Sequence, residues 1–133
     1  MKVALILFTS FLFLNVGCDA QSKVDAGKKG EPVNAKITFI ELGSVNCIPC
    51  KQMQPVMKAI EEKYGDQVKV VFHDVWKSEG KPYAEKYGIR LIPTQVFLDD
   101  KGNEFHRHEG FYPESEIDNI LQERGLNPVK KEG

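Results

Sequence analysis

The sequence predicts a small α/β domain built on a mixed four-stranded sheet, with helices on both faces. Short runs rich in β-branched and aromatic residues alternate with segments of helical apolar spacing, in the order βαβαββα. The first strand-helix-strand unit requires parallel pairing and a right-handed crossover. The last two strands are separated only by the turn residues 99–103, which predict an antiparallel hairpin.

The first half of the domain contains two strands and a long helix. Residues 37–42 form a mostly apolar run, which ends at Gly43 and predicts a buried strand. A helix is expected over residues 49–64, capped by Gly65, because apolar residues recur there at helical spacing: Met53, Val56, Met57 and Ile60. Residues 68–75 are rich in β-branched side chains and predict the second strand.

The second half begins with a short helix. Ser78 is a suitable N-cap for this helix, which is expected to end near Lys86. Residues 94–98 and 104–109 are the two hairpin strands, and residues 113–124 form the last helix.

The first 18 residues have the pattern of a secretory signal, because a positive residue precedes the apolar run 3–14 and small or polar residues close the segment. Cys18 follows Gly17 at the end of this run and resembles the acylated cysteine of bacterial lipoproteins. Cleavage after Ala20, without a lipid, is the alternative. We expect the protein to be exported to the periplasm or the outer face of the membrane, and anchored there through Cys18.

The rest of the chain divides into three parts. Residues 19–36 are polar and predict a flexible linker, 37–126 form the domain, and 127–133 are a polar tail. The formal net charge of −1 gives no support for nucleic-acid binding. We expect one monomeric domain.

The segment SVNCIPCKQ, residues 44–52, contains the chemistry-bearing pair Cys47 and Cys50. Residues three apart on a helix lie on one face, which allows the two sulfurs to form a disulfide. Cys47 falls at the helix N-terminus, where free N–H groups and the helix dipole favour a thiolate, so it is the candidate nucleophile. Cys50 lies one turn further in and is the candidate resolving thiol.

Other interpretations of the pair remain open. A zinc site requires four ligands, and the remaining candidates His73, His106 and His108 lie on predicted strands away from this turn. Two inert buried cysteines are more typical of cytosolic proteins than of exported ones. A purely structural disulfide is also open, although closing so short a loop stabilises a fold little.

Further motifs are similar to those of the thioredoxin superfamily over nearly the whole predicted domain. Lys51 follows the second cysteine, and Pro55 stands five residues after it, as in that family. Residues 86–94, KYGIRLIPT, resemble the family's stretch through its cis-proline, and glycines follow at the family's spacing, at Gly102 and Gly110.

The resemblance implies a thiol–disulfide oxidoreductase that needs no metal or organic cofactor. Cys47 would attack a substrate disulfide and Cys50 would release the mixed disulfide. Pro93 would be cis and lie against the cysteine turn, with Ile92 and Thr94 beside it to hold an extended substrate segment. A plain proline at the entry of a strand is the alternative for Pro93.

Glu41 lies six residues before Cys47, where thioredoxins have a buried acid that assists deprotonation of the resolving cysteine. An acid inside the apolar run TFIEL should have a raised pKa through desolvation, and could take the proton of Cys50. Glutamate is longer than the aspartate that thioredoxins have at this position, and in this the chain resembles the membrane-anchored, extracytoplasmic thioredoxin-like proteins of the TlpA and ResA type. An edge-exposed glutamate is the alternative.

The loop departs from the family at Asn46, which occupies the position of a tryptophan, and no lysine clearly matches the usual partner of the buried acid. We assign Asn46, Ile48 and Pro49, which adjoin the cysteines, to substrate binding. Partners are expected to be proteins with disulfides rather than a standard thioredoxin reductase.

Pro49, directly before Cys50, resembles the reducing members of the superfamily, whereas strong oxidants tend to carry histidine there. We therefore expect a reductase that receives electrons from a membrane carrier of the CcdA or DsbD type. An oxidase or isomerase, a binding module with a permanent disulfide, and a metal-binding protein are the alternatives.

Overall fold

The computed structural model describes residues 35–129. The predicted signal segment with Cys18, the linker up to residue 34 and the last four residues lie outside the described residues. No helix within 35–129 is long and apolar enough to cross a membrane.

The described residues form seven principal elements in the predicted order. Their bounds are β1 (Ile37–Gly43), α1 (Ile48–Tyr64), β2 (Val68–Asp74), α2 (Lys81–Lys86), β3 (Thr94–Leu98), β4 (Glu104–Glu109) and α3 (Glu114–Glu123). A 3-10 turn, Gly65–Gln67, joins α1 to β2. Gly65 caps α1 as predicted, with a positive φ of 53°.

The four strands form one mixed sheet in the order β2-β1-β3-β4. Strand β1 pairs parallel with β2 and antiparallel with β3, and β3 pairs antiparallel with β4. This confirms the predicted fold class. The register also places Glu41 of β1 between Phe72 of β2 and Gln95 of β3.

Side chains of β1 alternate between two cores. Ile37 and Phe39 join a cluster with residues of α1 and α3, whereas Ile40 and Leu42 pack with residues of α2. The helices therefore cover both faces of the sheet. Because successive strand residues point to opposite faces, Glu41 points toward the α1 and α3 side.

The predicted N-cap of α2 is wrong. The helix begins at Lys81 with Gly80 as its N-cap, and Ser78 is exposed in the preceding turn. The physical reason is a close approach between this turn and the end of β2, because a Cβ on Gly80 would overlap the backbone carbonyl of Asp74. Tight backbone packing, rather than hydroxyl capping, sets the start of α2.

Two residues of the predicted tail make hydrogen bonds with the domain. The Gln67 side chain donates to the carbonyl of Asn127 at 2.7 Å. The N–H of Val129 donates to the carbonyl of Lys63 at 2.8 Å. The chain after α3 is thereby held beside the C-terminal end of α1.

Candidate functional site

Cys47 and Cys50 form a disulfide across the first turn of α1, with a Cα–Cα distance of 5.2 Å. Cys47 is the N-cap residue, as predicted, with extended backbone angles, and its carbonyl accepts the N–H of Lys51 at 3.0 Å. Cys50 is fully buried, whereas Cys47 is only half-buried. The pair therefore has one accessible sulfur and one shielded sulfur.

Gly43 at the end of β1 provides the space in which Cys50 lies. A Cβ on Gly43 would stand 3.1 Å from the Cys50 sulfur and 3.4 Å from the ring of Phe72. The missing side chain lets the first turn of α1 rest directly on the end of the sheet. This contact places the disulfide two residues along β1 from Glu41.

The loop between β1 and α1 is held by hydrogen bonds at both ends. The carbonyl of Ser44 accepts the N–H of Cys47 at 3.1 Å. The Asp74 carboxylate accepts the N–H of Val45 at 3.4 Å and the N–H of Trp76 at 3.2 Å. Asp74 therefore ties the cysteine loop to the chain that follows β2.

The peptide bond between Ile92 and Pro93 is cis, as the sequence analysis expected. Pro93 is buried, and its carbonyl accepts the N–H of Gly110 at 2.8 Å. The hydroxyl of Thr94 donates to the carbonyl of Leu91 at 2.7 Å, which closes the turn before β3.

The strand register brings this proline to the end of the sheet where the disulfide lies. Thr94 pairs with Leu42, so Pro93 lies next to the level of Gly43. Within residues 35–129, neither the N–H nor the carbonyl of Ile92 has a hydrogen-bond partner in the protein. The backbone of Ile92 is therefore free to pair with another chain.

Glu41 is fully buried, which confirms the predicted burial and excludes the edge-exposed alternative. Burial raises the pKa of its carboxyl from 4.5 to about 8, although a hydrogen bond from Gln95 partly opposes that rise. The Gln95 Nε2 donates to Glu41 Oε2 at 3.0 Å. At pH 7 the carboxyl is therefore mainly protonated.

The sequence analysis missed Gln95 as a component of this site. It is fully buried and, besides Glu41, its Nε2 donates to the carbonyl of Gly110 at 3.1 Å. A signal was present, because a glutamine inside the otherwise apolar run QVFL has to satisfy its amide in the core. The pairing between β1 and β3 was needed to show that its partner is the buried acid.

The three loop residues assigned to substrate binding lie around the cysteines, as expected from their positions. Asn46 and Ile48 are exposed, Ile48 to 74%, and Pro49 is half-buried. Exposed apolar side chains are found in this loop and in the segments that follow β2, precede Pro93 and follow β4. We call these residues the apolar rim: Val45, Ile48, Trp76, Leu91 and Phe111.

The three histidines do not join the cysteines. His73 stacks on Tyr83 with ring centroids 3.6 Å apart, on the α2 side of the sheet. His106 and His108 both stack on Tyr112, on the strand farthest from β2. In the part of the chain that the structure describes, no group of three or more histidine, cysteine or acidic residues could hold a metal ion.

Comparisons with known proteins identify the relatives of this architecture. The family described as the thioredoxin-like domain matches residues 20–125, beginning within the predicted linker. Thioredoxin 1 of Synechococcus elongatus is 34% identical over 103 residues, which cover 77% of this chain and 94% of that protein. Thioredoxin of Bacillus subtilis is 35% identical over 75 residues, covering 56% of this chain and 69% of that protein.

Solved structures give the same result. The thioredoxin of Malassezia sympodialis superposes with a TM-score of 0.56 at 31% sequence identity, covering 68% of this chain and 78% of that one. The fold of residues 35–129 is therefore thioredoxin-like.

The raised pKa of Glu41 predicts that the free energy of unfolding depends on pH. A carboxyl whose pKa is raised in the folded state is ionised at lower pH in the unfolded chain, so stability is lost as pH rises from about 4.5 to about 8. Glu41→Gln removes this loss. We expect the variant to be more stable than the wild type by about 3 kcal/mol at pH 7 and about 5 kcal/mol at pH 9, with little advantage at pH 4.5.

Urea unfolding of both oxidised proteins across this pH range measures the difference. An advantage of the variant that is the same at all pH values would contradict the raised pKa.

Proposed function

The chain belongs to the thioredoxin-like proteins and is a thiol–disulfide oxidoreductase, and we propose that it works as a reductase of protein disulfides in the bacterial cell envelope. The observation that carries the disulfide-exchange chemistry of this proposal is the arrangement of the two sulfurs. Cys47 is accessible at the N-cap of α1, and Cys50 is shielded one turn further in. The Glu41 carboxyl is buried on the face of the sheet that α1 covers.

In the proposed reaction the reduced pair gives two electrons to a client. The Cys47 thiolate, favoured by the helix N-terminus, attacks one sulfur of a client disulfide. A bond forms between Cys47 and the client, the client disulfide breaks, and the departing thiolate takes a proton from water. The thiolate of Cys50 then attacks the sulfur of Cys47, which forms the internal disulfide and releases the second client thiolate.

Glu41 is the proposed acceptor of the Cys50 proton. Cys50 has no solvent exposure, so its proton needs an acceptor inside the protein. With a pKa of about 8, about one tenth of the Glu41 carboxyls are ionised at pH 7, and a base with a pKa near the working pH is efficient. Release of the client by a Glu41→Gln variant at the wild-type rate and pH dependence would contradict this role.

The surface around the disulfide supports a protein substrate. The free backbone of Ile92 can pair with an extended client segment by strand addition, next to Pro93 and Thr94. The apolar rim offers exposed side chains for contact with a client, and Asp74 holds the backbones of two of its residues, Val45 and Trp76, side by side. Asn46 leaves the loop without the usual tryptophan, and Trp76 supplies an exposed aromatic side chain nearby.

Sequence features support the proposed direction and location. Pro49 before Cys50 resembles the reducing members of the superfamily. The apolar run 3–14 and Cys18 support export and a lipid anchor, as in the TlpA and ResA type. A reductase in an oxidising compartment needs a source of electrons, and we propose a membrane carrier of the CcdA or DsbD type.

Cysteine variants test the order of the two thiols. Cys50→Ser retains the attacking sulfur but cannot release the client, so it should accumulate mixed disulfides with proteins. Cys47→Ser is the matched control and should accumulate few. Non-reducing electrophoresis of membrane extracts, followed by mass spectrometry of the linked peptides, measures both. Equal amounts of mixed disulfide in the two variants, or mixed disulfides formed only by Cys47→Ser through Cys50, would contradict the proposed order of attack.

A second variant tests the anchor. The wild-type protein should sediment with the membrane fraction and carry an acyl group on Cys18, because one lipid-modified residue is the only proposed attachment. Cys18→Ala should move it to the soluble fraction while disulfide reduction is unchanged. Fractionation and mass spectrometry of the mature N-terminus measure this. A variant that stays bound to membranes would show that the anchor is elsewhere.

A further inference from the structure

The side chain of Gln95 connects the buried acid to the loop of the cis-proline. Its Nε2 donates to Glu41 Oε2 at 3.0 Å and to the Gly110 carbonyl at 3.1 Å, and the N–H of Gly110 donates to the carbonyl of Pro93 at 2.8 Å. We propose that Gln95 is a positioning residue that sets the proton affinity of Glu41 by pairing with its carboxyl. The catalytic consequence rests on the proposed function of Glu41, whereas the pairing itself does not.

The carbonyl of Gly110 fixes the orientation of the Gln95 amide. A backbone carbonyl can only accept hydrogen bonds, so the amide atom that faces it must be Nε2 rather than Oε1. The same Nε2 lies 3.0 Å from Glu41 Oε2. Gln95 therefore donates to the carboxyl whether Glu41 is ionised or protonated.

Two buried oxygens indicate which state the pair favours. Among the described residues, Glu41 Oε1 and Gln95 Oε1 are the buried side-chain atoms without a hydrogen-bond partner. Both are acceptors when the carboxyl is ionised, and an unpaired acceptor in an apolar interior is costly. A proton on the carboxyl removes the charge from this apolar interior, so the cost of burial falls mainly on the ionised form.

The ionised form depends on the same amide for stabilisation. When Glu41 loses its proton, the bond that Gln95 Nε2 donates to Oε2 is the one side-chain hydrogen bond that the described residues make with the carboxylate. A hydrogen bond to a charged group is stronger than one to a neutral group. Removal of Gln95 should therefore disfavour the carboxylate more than the acid.

Few other groups can act on this carboxyl. At this end of the sheet, the titratable groups on the face that Glu41 occupies are Cys47, Cys50, Lys51, Asp74, His108 and Tyr112, whereas His73 and Glu109 lie on the opposite face. Cys50 is in the disulfide and Lys51 is exposed. Asp74 is engaged by two backbone N–H groups.

His108 lies beyond Gln95 in the sheet and stacks on Tyr112 with ring centroids 4.0 Å apart. On the other side of Glu41 the register partner is the apolar Phe72. Gln95 is therefore the hydrogen-bond donor that the described residues provide to Glu41.

Titration of the oxidised protein tests the inference without reference to catalysis. Carbon NMR of the Glu41 Cδ gives the midpoint directly, and the wild type should titrate near pH 8. Gln95→Met keeps the length of the side chain but removes the donor, and should raise the midpoint by about one unit. Gln67→Met is the matched control, because Gln67 Nε2 also donates two hydrogen bonds, to the carbonyls of Tyr64 and Asn127, but lies at the other end of α1. It should leave the midpoint unchanged.

Gln95→Glu provides a second variant of the same shape if the methionine variant does not fold. Two carboxyls sharing one proton should replace the single midpoint by two, one on each side of the original. An unchanged single midpoint near pH 8 in either variant would overturn the inference. A lowered midpoint in Gln95→Met would overturn it as well.

The kinetic consequence separates this inference from the proposed function. At pH 7, Gln95→Met should slow client release from the mixed disulfide about tenfold, because one unit in pKa lowers the ionised fraction tenfold. The same substitution in a Glu41→Gln background should have no further effect on the pH profile. If the wild type reduces no protein disulfide but the midpoint still moves in Gln95→Met, the pairing stands and the proposed function falls.

Discussion

The contact between Gly43 and Cys50 determines how the first turn of α1 meets the sheet. A Cβ at residue 43 would stand 3.1 Å from the Cys50 sulfur, so the first turn of α1 would have to move away from the end of β1 by a few tenths of an ångström. Because of this approach, Cys50 is buried while Cys47 remains accessible at the helix N-terminus. The same contact sets the disulfide above the strand that carries Glu41. The absence of a side chain at residue 43 therefore contributes to the burial of Cys50, whereas the N-cap position keeps Cys47 accessible.

A buried acid without a cation is the second constraint, and it connects stability with chemistry. Phe72 stands where β2 could have offered a positive side chain, so Glu41 is held by the neutral amide of Gln95 alone. The ionised carboxyl is consequently costly, and the pKa rises to about 8. The same rise that destabilises the fold as pH increases from about 4.5 to about 8 brings the group into the range in which it can exchange protons. Relatives with other partners for the acid would set this balance differently.

Much of this arrangement could be predicted from the sequence because it depends on local patterns. The strands and helices follow apolar periodicity, Cys47 follows from the start of a helix, and burial of Glu41 follows from its apolar neighbours. Two features depend on tertiary contacts and were not predictable in this way. Ser78 satisfied the local rule for a helix cap, but packing of Gly80 on β2 moved the start of α2. Gln95 acquires its role only through the register between β1 and β3.

The equilibrium reduction potential of the Cys47–Cys50 pair tests the proposed reductase most directly. It can be measured at pH 7 by equilibration of the purified protein with a dithiol redox buffer and quantification of free thiols. A reductase of this class should have a potential nearer to about −270 mV, as in thioredoxin, than to about −120 mV, as in the strongest oxidants. A value near −120 mV would contradict the direction of electron transfer proposed here, while leaving membership of the family intact.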